Sequence, residues 1–294
     1  MNLFILGLGY SASAFARRQV AGGWRVQGTV RRLEKASALR REDIEAFAFD
    51  ARTGGLGTAA SALRQADALL VSIPPSGEGE ALPKQLSRLI VEEARHLRWI
   101  GYLSTIGVYG DHSGAWVDET TPCRPISARG RARVEAEASW QRLGSQANIP
   151  VVSFRLPGIY GPGRNALVAL REGKAHRIIK PGQIFNRIHV EDIATALGLS
   201  LRSDTASVVY NVTDDEPSPP QDVITFAARL LGIEPPPEID FAAAKLSPMA
   251  ASFYGESKRV CNGLIKRRVG FVPAFPSYRE GLRELWRKGE GLRG

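Results

Sequence analysis

Gly7, Gly9 and Ala12 stand at the spacing Gly-x-Gly-x-x-Ala within Phe4-Ile5-Leu6-Gly7-Leu8-Gly9-Tyr10-Ser11-Ala12. Residues this small, so spaced, do their chemistry through the backbone. The first glycine allows a tight turn and the second lets the main chain approach a pyrophosphate. The small third residue lets a helix pack close to a strand, and the N–H groups opening that helix hold negative charge. Gly7, Gly9, Tyr10, Ser11 and Ala12 are therefore expected to bind a dinucleotide. Further along, Arg31 and Arg32 follow Val26-Gln27-Gly28-Thr29-Val30. A carboxylate about 20 residues past the glycines would bond the ribose 2′-hydroxyl of NAD. No carboxylate occurs here before Glu34. Guanidiniums suit a 2′-phosphate instead, because their planar fork bonds phosphate oxygens in pairs. The expected cofactor is NADP (NADPH). The alternative is that Arg31 and Arg32 are solvated loop charges.

These residues need strands and helices to position them. Residues 3–6 read as a buried strand, and a helix from Ala12 runs to about Val20 before Gly22-Gly23 stop it. Residues 44–49 suit a third strand whose tip, Asp50-Ala51, meets the adenine. Ala68-Leu69-Leu70-Val71-Ser72-Ile73 is a fourth strand, closed by Pro74-Pro75. It places Ser72, Ile73 and Pro74 beside the cofactor. A helix over 79–97 carries Leu82, Leu86, Leu89, Ile90 and Ala94 at helical spacing. Residues 99–104 and 151–156 are a fifth and a sixth strand, with a helix over 129–146 between them. Repeated β-α units define the class as α/β, a Rossmann doubly wound parallel sheet with right-handed crossovers. Beyond Pro157 come a glycine- and proline-rich loop, one more strand over 208–212 and a proline-dense stretch over 216–248. The expected organisation is a dinucleotide-binding domain over 1–160, to which 187–214 returns, and a smaller C-terminal α/β lobe over 161–294.

A hydrophobic content of 44% and a charged content of 23% are ordinary for a globular chain of 294 residues. The net charge of +9 raises the question of nucleic acid. The arginines are dispersed in pairs such as Arg17-Arg18 and Arg267-Arg268, with no nucleic-acid-binding motif around them. Such charge attracts small anions, phosphates above all, and no nucleic-acid partner is expected. The apolar start lacks the basic flank of a signal peptide and no run is long enough to span a bilayer. A soluble, cytoplasmic protein without a membrane partner is expected. Cys123 and Cys261 lie far apart without metal-type spacing and read as free thiols, so no metal is expected.

Three later segments carry a family resemblance. Tyr102-Leu103-Ser104-Thr105-Ile106-Gly107-Val108-Tyr109-Gly110 resembles the end of strand five in extended short-chain dehydrogenases/reductases. Arg155-Leu156-Pro157-Gly158-Ile159-Tyr160-Gly161-Pro162-Gly163-Arg164 resembles their loop after strand six, and Asn186-Arg187-Ile188-His189-Val190-Glu191-Asp192-Ile193-Ala194 their histidine-valine-aspartate segment. Over nearly the whole chain the order is similar to the NAD(P)-dependent epimerase/dehydratase branch, in its atypical form. The chain departs from the family's Tyr-x-x-x-Lys pair. After Pro125-Ile126-Ser127-Ala128 it reads Arg129-Gly130-Arg131-Ala132-Arg133. A guanidinium stays charged, so Arg129 cannot relay a proton. Arg133 is expected at a ribose or phosphate. The alternative is that both are surface arginines pairing with Glu135 and Glu137.

The resemblance implies Ser104 and Thr105 near the reacting carbon of the nicotinamide. It also implies Tyr109 as a substitute acid/base over the pocket, and Pro157 and Tyr160 at the nicotinamide end. His189, a residue type that titrates near neutrality, belongs to a segment closing the pocket floor. Arg164, Asn165, Arg187 and His189 are expected to hold an anionic, phosphorylated or nucleotide-sugar-like substrate. The implied function is an NADP-dependent oxidoreductase or epimerase/dehydratase, set against a non-catalytic NADP-binding sensor or regulatory protein. The family pairs the helices after strands four and five into a homodimer. Here the second carries Arg129, Arg131, Arg133 and Arg142, more charge than interface cores usually hold.

Overall fold

β1 (Asn2–Leu6) is covered on both faces, which explains the unbroken apolar run over residues 3–6. The computed structural model describes residues 1–49, 56–75, 84–203 and 206–292. In it, Leu3 and Ile5 enter one core while Phe4 and Leu6 enter another, as the two-residue period of a strand requires. The chain continues through α1 (Tyr10–Ala21), β2 (Arg25–Val30), α2 (Leu33–Arg40), β3 (Ile44–Ala48), α3 (Ala59–Arg64) and β4 (Ala68–Val71). Next come α4 (Lys84–Glu92), β5 (Trp99–Thr105), β6 (Trp116–Val117), α5 (Ala128–Ala147), β7 (Val151–Leu156) and β8 (Gly158–Tyr160). Then follow α6 (Ala166–Arg171), β9 (Arg177–Ile179), β10 (Arg187–His189), α7 (Val190–Arg202) and β11 (Val208–Asn211). The last elements are α8 (Pro220–Leu231), β12 (Glu238–Asp240), α9 (Pro248–Tyr254), β13 (Arg259–Val260), α10 (Gly263–Val269) and α11 (Tyr278–Arg287).

Seven strands form one sheet in the order β11-β7-β5-β4-β1-β2-β3, every pairing parallel. The order reverses between β1 and β4, so the crevice for a ligand lies beyond the carboxyl ends of those strands. Ala12 and Phe15 of α1 and Ile193 and Leu197 of α7 cover one face. Leu63 of α3, Ile90 of α4 and Ala136 and Trp140 of α5 cover the other. Ser127 caps α5 by accepting from the Gly130 N–H, and Asn148 ends it in the left-handed region at φ 54°.

A smaller core joins Leu167 of α6, Val223 and Ala227 of α8, and Tyr278, Leu282 and Leu285 of α11, with Tyr160 among them. Beside it β9 pairs in parallel with β12, while β10 pairs with β8. The strand expected over 208–212 is β11, at one edge of the sheet. Not all of the chain beyond 215 joins the small core, since Ile265 of α10 and Phe271 are buried in the core of the large sheet. Within the described residues, the helix expected over 79–97 is α4, running from 84 to 92. Asp50 and Ala51, expected at the adenine, lie outside the described residues. Among the described residues no helix is long and apolar enough to cross a membrane.

Candidate active site

The turn between β1 and α1 is built so that only glycine fits its first position. Gly7 has φ 96°, and a Cβ there would fall 2.6 Å from Ile73 Cγ2. The tip of β4, Ser72-Ile73, is thereby held against the turn. Around Gly9 there is room, because the nearest atom to an added Cβ is Ser72 Oγ at 3.9 Å. Directly after it α1 starts with no side-chain cap and no acidic residue in its first turn. Its leading N–H groups are therefore left for an anion. Ser11 and Ala12 are buried, and Pro74 is exposed at the crevice rim. The Tyr10 hydroxyl donates to Pro162 O at 2.9 Å, and the exposed Arg164 guanidinium stands 5.9 Å from the Tyr10 ring centre. The loop after β8 thus closes over the start of α1.

Arg31 and Arg32 follow β2, exposed and without an ion-pair or hydrogen-bond partner among the described residues. Close to them stands a third cation that sequence reasoning missed. Lys35 Nζ donates to Leu8 O at 2.5 Å, inside the glycine-rich turn. Burial, with Arg17 adding to it, draws its ammonium below the usual lysine range. The signal was available, since Lys35 lies only four residues beyond Arg31.

The tip of β5 separates two neighbours expected to act together. Ser104 is 5% exposed and donates to Glu137 Oε1 at 2.5 Å. Glu137 is itself gripped by Arg155, Nη2 to Oε2 at 2.8 Å and Nε to Oε1 at 3.2 Å, with both side chains buried. Ser104 therefore hydrogen-bonds an internal ion pair. Thr105 is half-buried at the strand tip, and its Oγ1 accepts from the Gly107 N–H at 3.1 Å. Its own hydroxyl proton is left for a ligand.

Tyr109 is enclosed as well. It has no exposed surface, lies under Arg155 at 4.8 Å and donates its hydroxyl to Asn211 Oδ1 at 2.8 Å. Burial pushes the phenol up to about 12, with Arg155 opposing.

Arg133 turns back to the sheet, donating to Leu103 O at 2.6 Å and to the Tyr102 hydroxyl at 3.0 Å. The expected pairing of Arg129 and Arg133 with Glu135 and Glu137 does not form. Arg129 is exposed and has no partner among the described residues.

Around the end of β7, Pro157 is half-buried. Tyr160 points away from the crevice into the small core, donating to Ser277 O at 3.3 Å. His189 is 3% exposed; its Nδ1 accepts from the Glu191 N–H at 3.2 Å and its ring lies 4.1 Å from that of Phe275. Burial draws it down to about 4, so it does not titrate near neutrality as its residue type suggested. Asn165 caps α6, accepting from the N–H groups of Leu167 and Val168, and donates to Gly161 O and Glu290 Oε2. This occupies the amide expected to hold substrate. Arg187 Nη1 donates to Ser218 Oγ at 2.8 Å and to Phe185 O at 3.1 Å. Near it Asp214 is 2% exposed, and burial pushes its carboxyl well above the usual range while Arg187 opposes. Two surface hollows, of about 350 and 510 Å³, are lined by other residues, the larger by Arg177, Phe226, Tyr278 and Arg279. The strand tips contribute to neither.

A doubly wound parallel sheet with a phosphate-type turn at its switch point is a Rossmann-like fold, the fold of short-chain dehydrogenase/reductase structures. Residues 84–213 match the model of the NAD dependent epimerase/dehydratase family. The solved structure of a functionally unknown conserved protein from Silicibacter pomeroyi DSS matches it with a TM-score of 0.87 at 46% identity, over 98% of this chain and 99% of that one. Protein YeeZ of Escherichia coli (strain K12) is 29% identical over 295 residues, covering 92% of this chain and 95% of YeeZ. The structure of MoeE5 in complex with UDP-glucuronic acid and NAD shares the fold, with a TM-score of 0.76 at 19% identity over 98% of this chain and 100% of that one.

Proposed function

We propose that the crevice at the β1/β4 switch point binds NADP(H). We further propose that the chain is an oxidoreductase or epimerase/dehydratase acting on a small anionic, phosphorylated or nucleotide-sugar-like substrate. The observation that carries this reading is the open space at Gly9 beneath the uncapped start of α1, with Gly7 locked against Ile73. The pyrophosphate is held there by backbone N–H groups of Tyr10 and Ser11. Arg31, Arg32 and Lys35 supply three cations for a 2′-phosphate, and no carboxylate stands among them to favour a free 2′-hydroxyl, Glu34 excepted. Ser72, Ile73 and Pro74 wall the crevice opposite, and Pro157 closes the nicotinamide end. When bound, the cofactor supplies or takes up the hydride, while the protein contributes position and charge. Thr105 holds a substrate oxygen through its free hydroxyl proton, and Arg164 and Arg187 attract the anionic part of the substrate. The small lobe, within 161–294, forms the far wall, and the cytoplasm is the expected compartment.

A second reading, a non-catalytic NADP-binding sensor, is favoured by the burial of Ser104, Tyr109 and His189. Among the described residues of the β5 tip, none then titrates near neutrality to relay a proton. NADPH oxidation screened over carbonyl compounds, together with product analysis of UDP-sugars incubated with the NADP⁺-loaded protein, separates the two. Turnover with any of them supports the enzyme. Tight binding with no turnover across the panel supports the sensor.

A further inference from the structure

We propose that Arg129 and Thr105 form an oxyanion-binding pair at the tip of β5, so that the part of the substrate nearest that tip carries a carboxylate or phosphate group. This rests on reading the crevice as the working site, and it goes beyond that reading by assigning the acid group a place. The placement follows from the phase of α5. Ala136 and Trp140 of this helix are buried against the sheet, and Arg129 lies seven residues before Ala136, on the same helical face. One turn before Ala136–Trp140, Arg133 reaches β5 itself and bonds Leu103 O. The next turn toward the helix start rises about 6 Å, and two residues along a strand advance about 6.6 Å. Because α5 runs antiparallel to β5, this brings Arg129 level with Thr105.

The start of the helix is fixed there by contact. A Cβ on Gly130 would stand 2.9 Å from Gly107 O and 2.7 Å from Pro125 Cβ, so α5 abuts the turn that follows Thr105. Nothing in the described residues neutralises Arg129. Glu137 is engaged by Ser104 and Arg155, and Glu135, six residues on, lies about 240° around the helix. A partner-free guanidinium presents donors only, and the Thr105 hydroxyl, with one of its two lone pairs taken by the Gly107 N–H, keeps its proton to donate. Such a pair selects an oxyanion and disfavours a neutral carbonyl compound, since the fork bonds two oxygens of one acid group. Arg129 keeps its charge throughout and moves no proton.

The test uses the full chain loaded with NADP⁺, titrated calorimetrically with pyruvate, with its neutral methyl ester, and with inorganic phosphate. The expected result is saturable binding of pyruvate or phosphate and at least tenfold weaker binding of the ester. Which anion binds identifies the acid group. Arg129→Gln should weaken the anion at least tenfold, about 1.4 kcal/mol. Arg129→Lys should retain part of the affinity. Arg142→Gln, exposed further along the same helix, should change nothing. NADP⁺ affinity, unaltered in all variants, reports that each is folded. Equal binding of ester and anion, no anion binding at all, or an Arg129→Gln variant with native anion affinity would overturn the pair. Failure of the native protein to bind NADP⁺ would instead overturn the cofactor reading. Arg129 would then be tested by the same anions on the unloaded protein.

Discussion

Ser104 and Thr105 are neighbours on β5, and the two-residue period of the strand sends their side chains different ways. Ser104 turns under α5 to Glu137, while Thr105 stays at the tip. Removing the first partner exposes the cost of that inner network. Glu137→Ala leaves the Arg155 guanidinium buried and unpaired, which should destabilise the protein by about 3–5 kcal/mol. Urea unfolding of Thr105→Ala, by contrast, should give a midpoint near native. Tyr109→Phe removes one buried hydrogen bond to Asn211, a loss of about 1 kcal/mol. Its affinity for NADPH should not change, and a large loss of affinity would return Tyr109 to the site.

His189 adds a pH dependence with a definite sign. Its folded value of about 4 lies below the ordinary 6.5, so the unfolded chain takes up a proton that the folded one refuses. Its contribution is therefore complete above about pH 6.5 and is lost as the pH falls toward 4. The raised carboxyls of Asp192 and Asp214 act oppositely and are shared by a variant. His189→Asn keeps an acceptor for the Glu191 N–H and removes the titration. The stability of native protein relative to His189→Asn should thus decline over that interval, measured by urea unfolding at several pH values. A constant difference would show that His189 titrates normally.

At the scale of elements, the turn between β1 and α1 is where local sequence and tertiary contact agree. Gly7→Ala combines a positive φ with a clash against Ile73, so it should lower stability by about 1–3 kcal/mol and abolish dinucleotide binding. Native-like affinity in Gly7→Ala would mean that the pyrophosphate lies elsewhere. This turn was legible in the sequence because its signal is local, glycines between an apolar strand and a helix. β1 and β4 were legible for the same reason, since burial on both faces writes a continuous apolar run. The polar pairings were not legible. Glu137 meets Arg155 across 18 residues and Tyr109 meets Asn211 across 102, and no spacing rule encodes either. An arginine within the mostly apolar, fully buried strand 151–156 was the one hint of a buried partner. The side chain of His189 was identifiable, but its protonation depends on burial that only the packed fold supplies.

At the scale of the whole molecule, a net charge of +9 is spread over the surface, yet the crevice gathers its own share. On the proposed reading, Arg31, Arg32 and Lys35 serve one end and Arg129 and Arg164 the other, a field that would draw in anionic ligands and weaken as salt rises. The small core of α6, α8 and α11 stands apart from the two cores of the sheet. Arg31, Arg32 and Lys35, the proposed 2′-phosphate cluster, are no part of that core, so substitutions at Tyr160 or Asn165 should alter substrate affinity or stability without changing the preference between dinucleotides. The central claim is that preference. Calorimetric titration of the native protein with NADPH and with NADH should show NADPH binding at least tenfold tighter, about 1.4 kcal/mol. The difference should largely vanish in the combined variant Arg31→Ala, Arg32→Ala, Lys35→Ala. Equal affinities in the native protein, or tighter binding of NADH, would contradict the account.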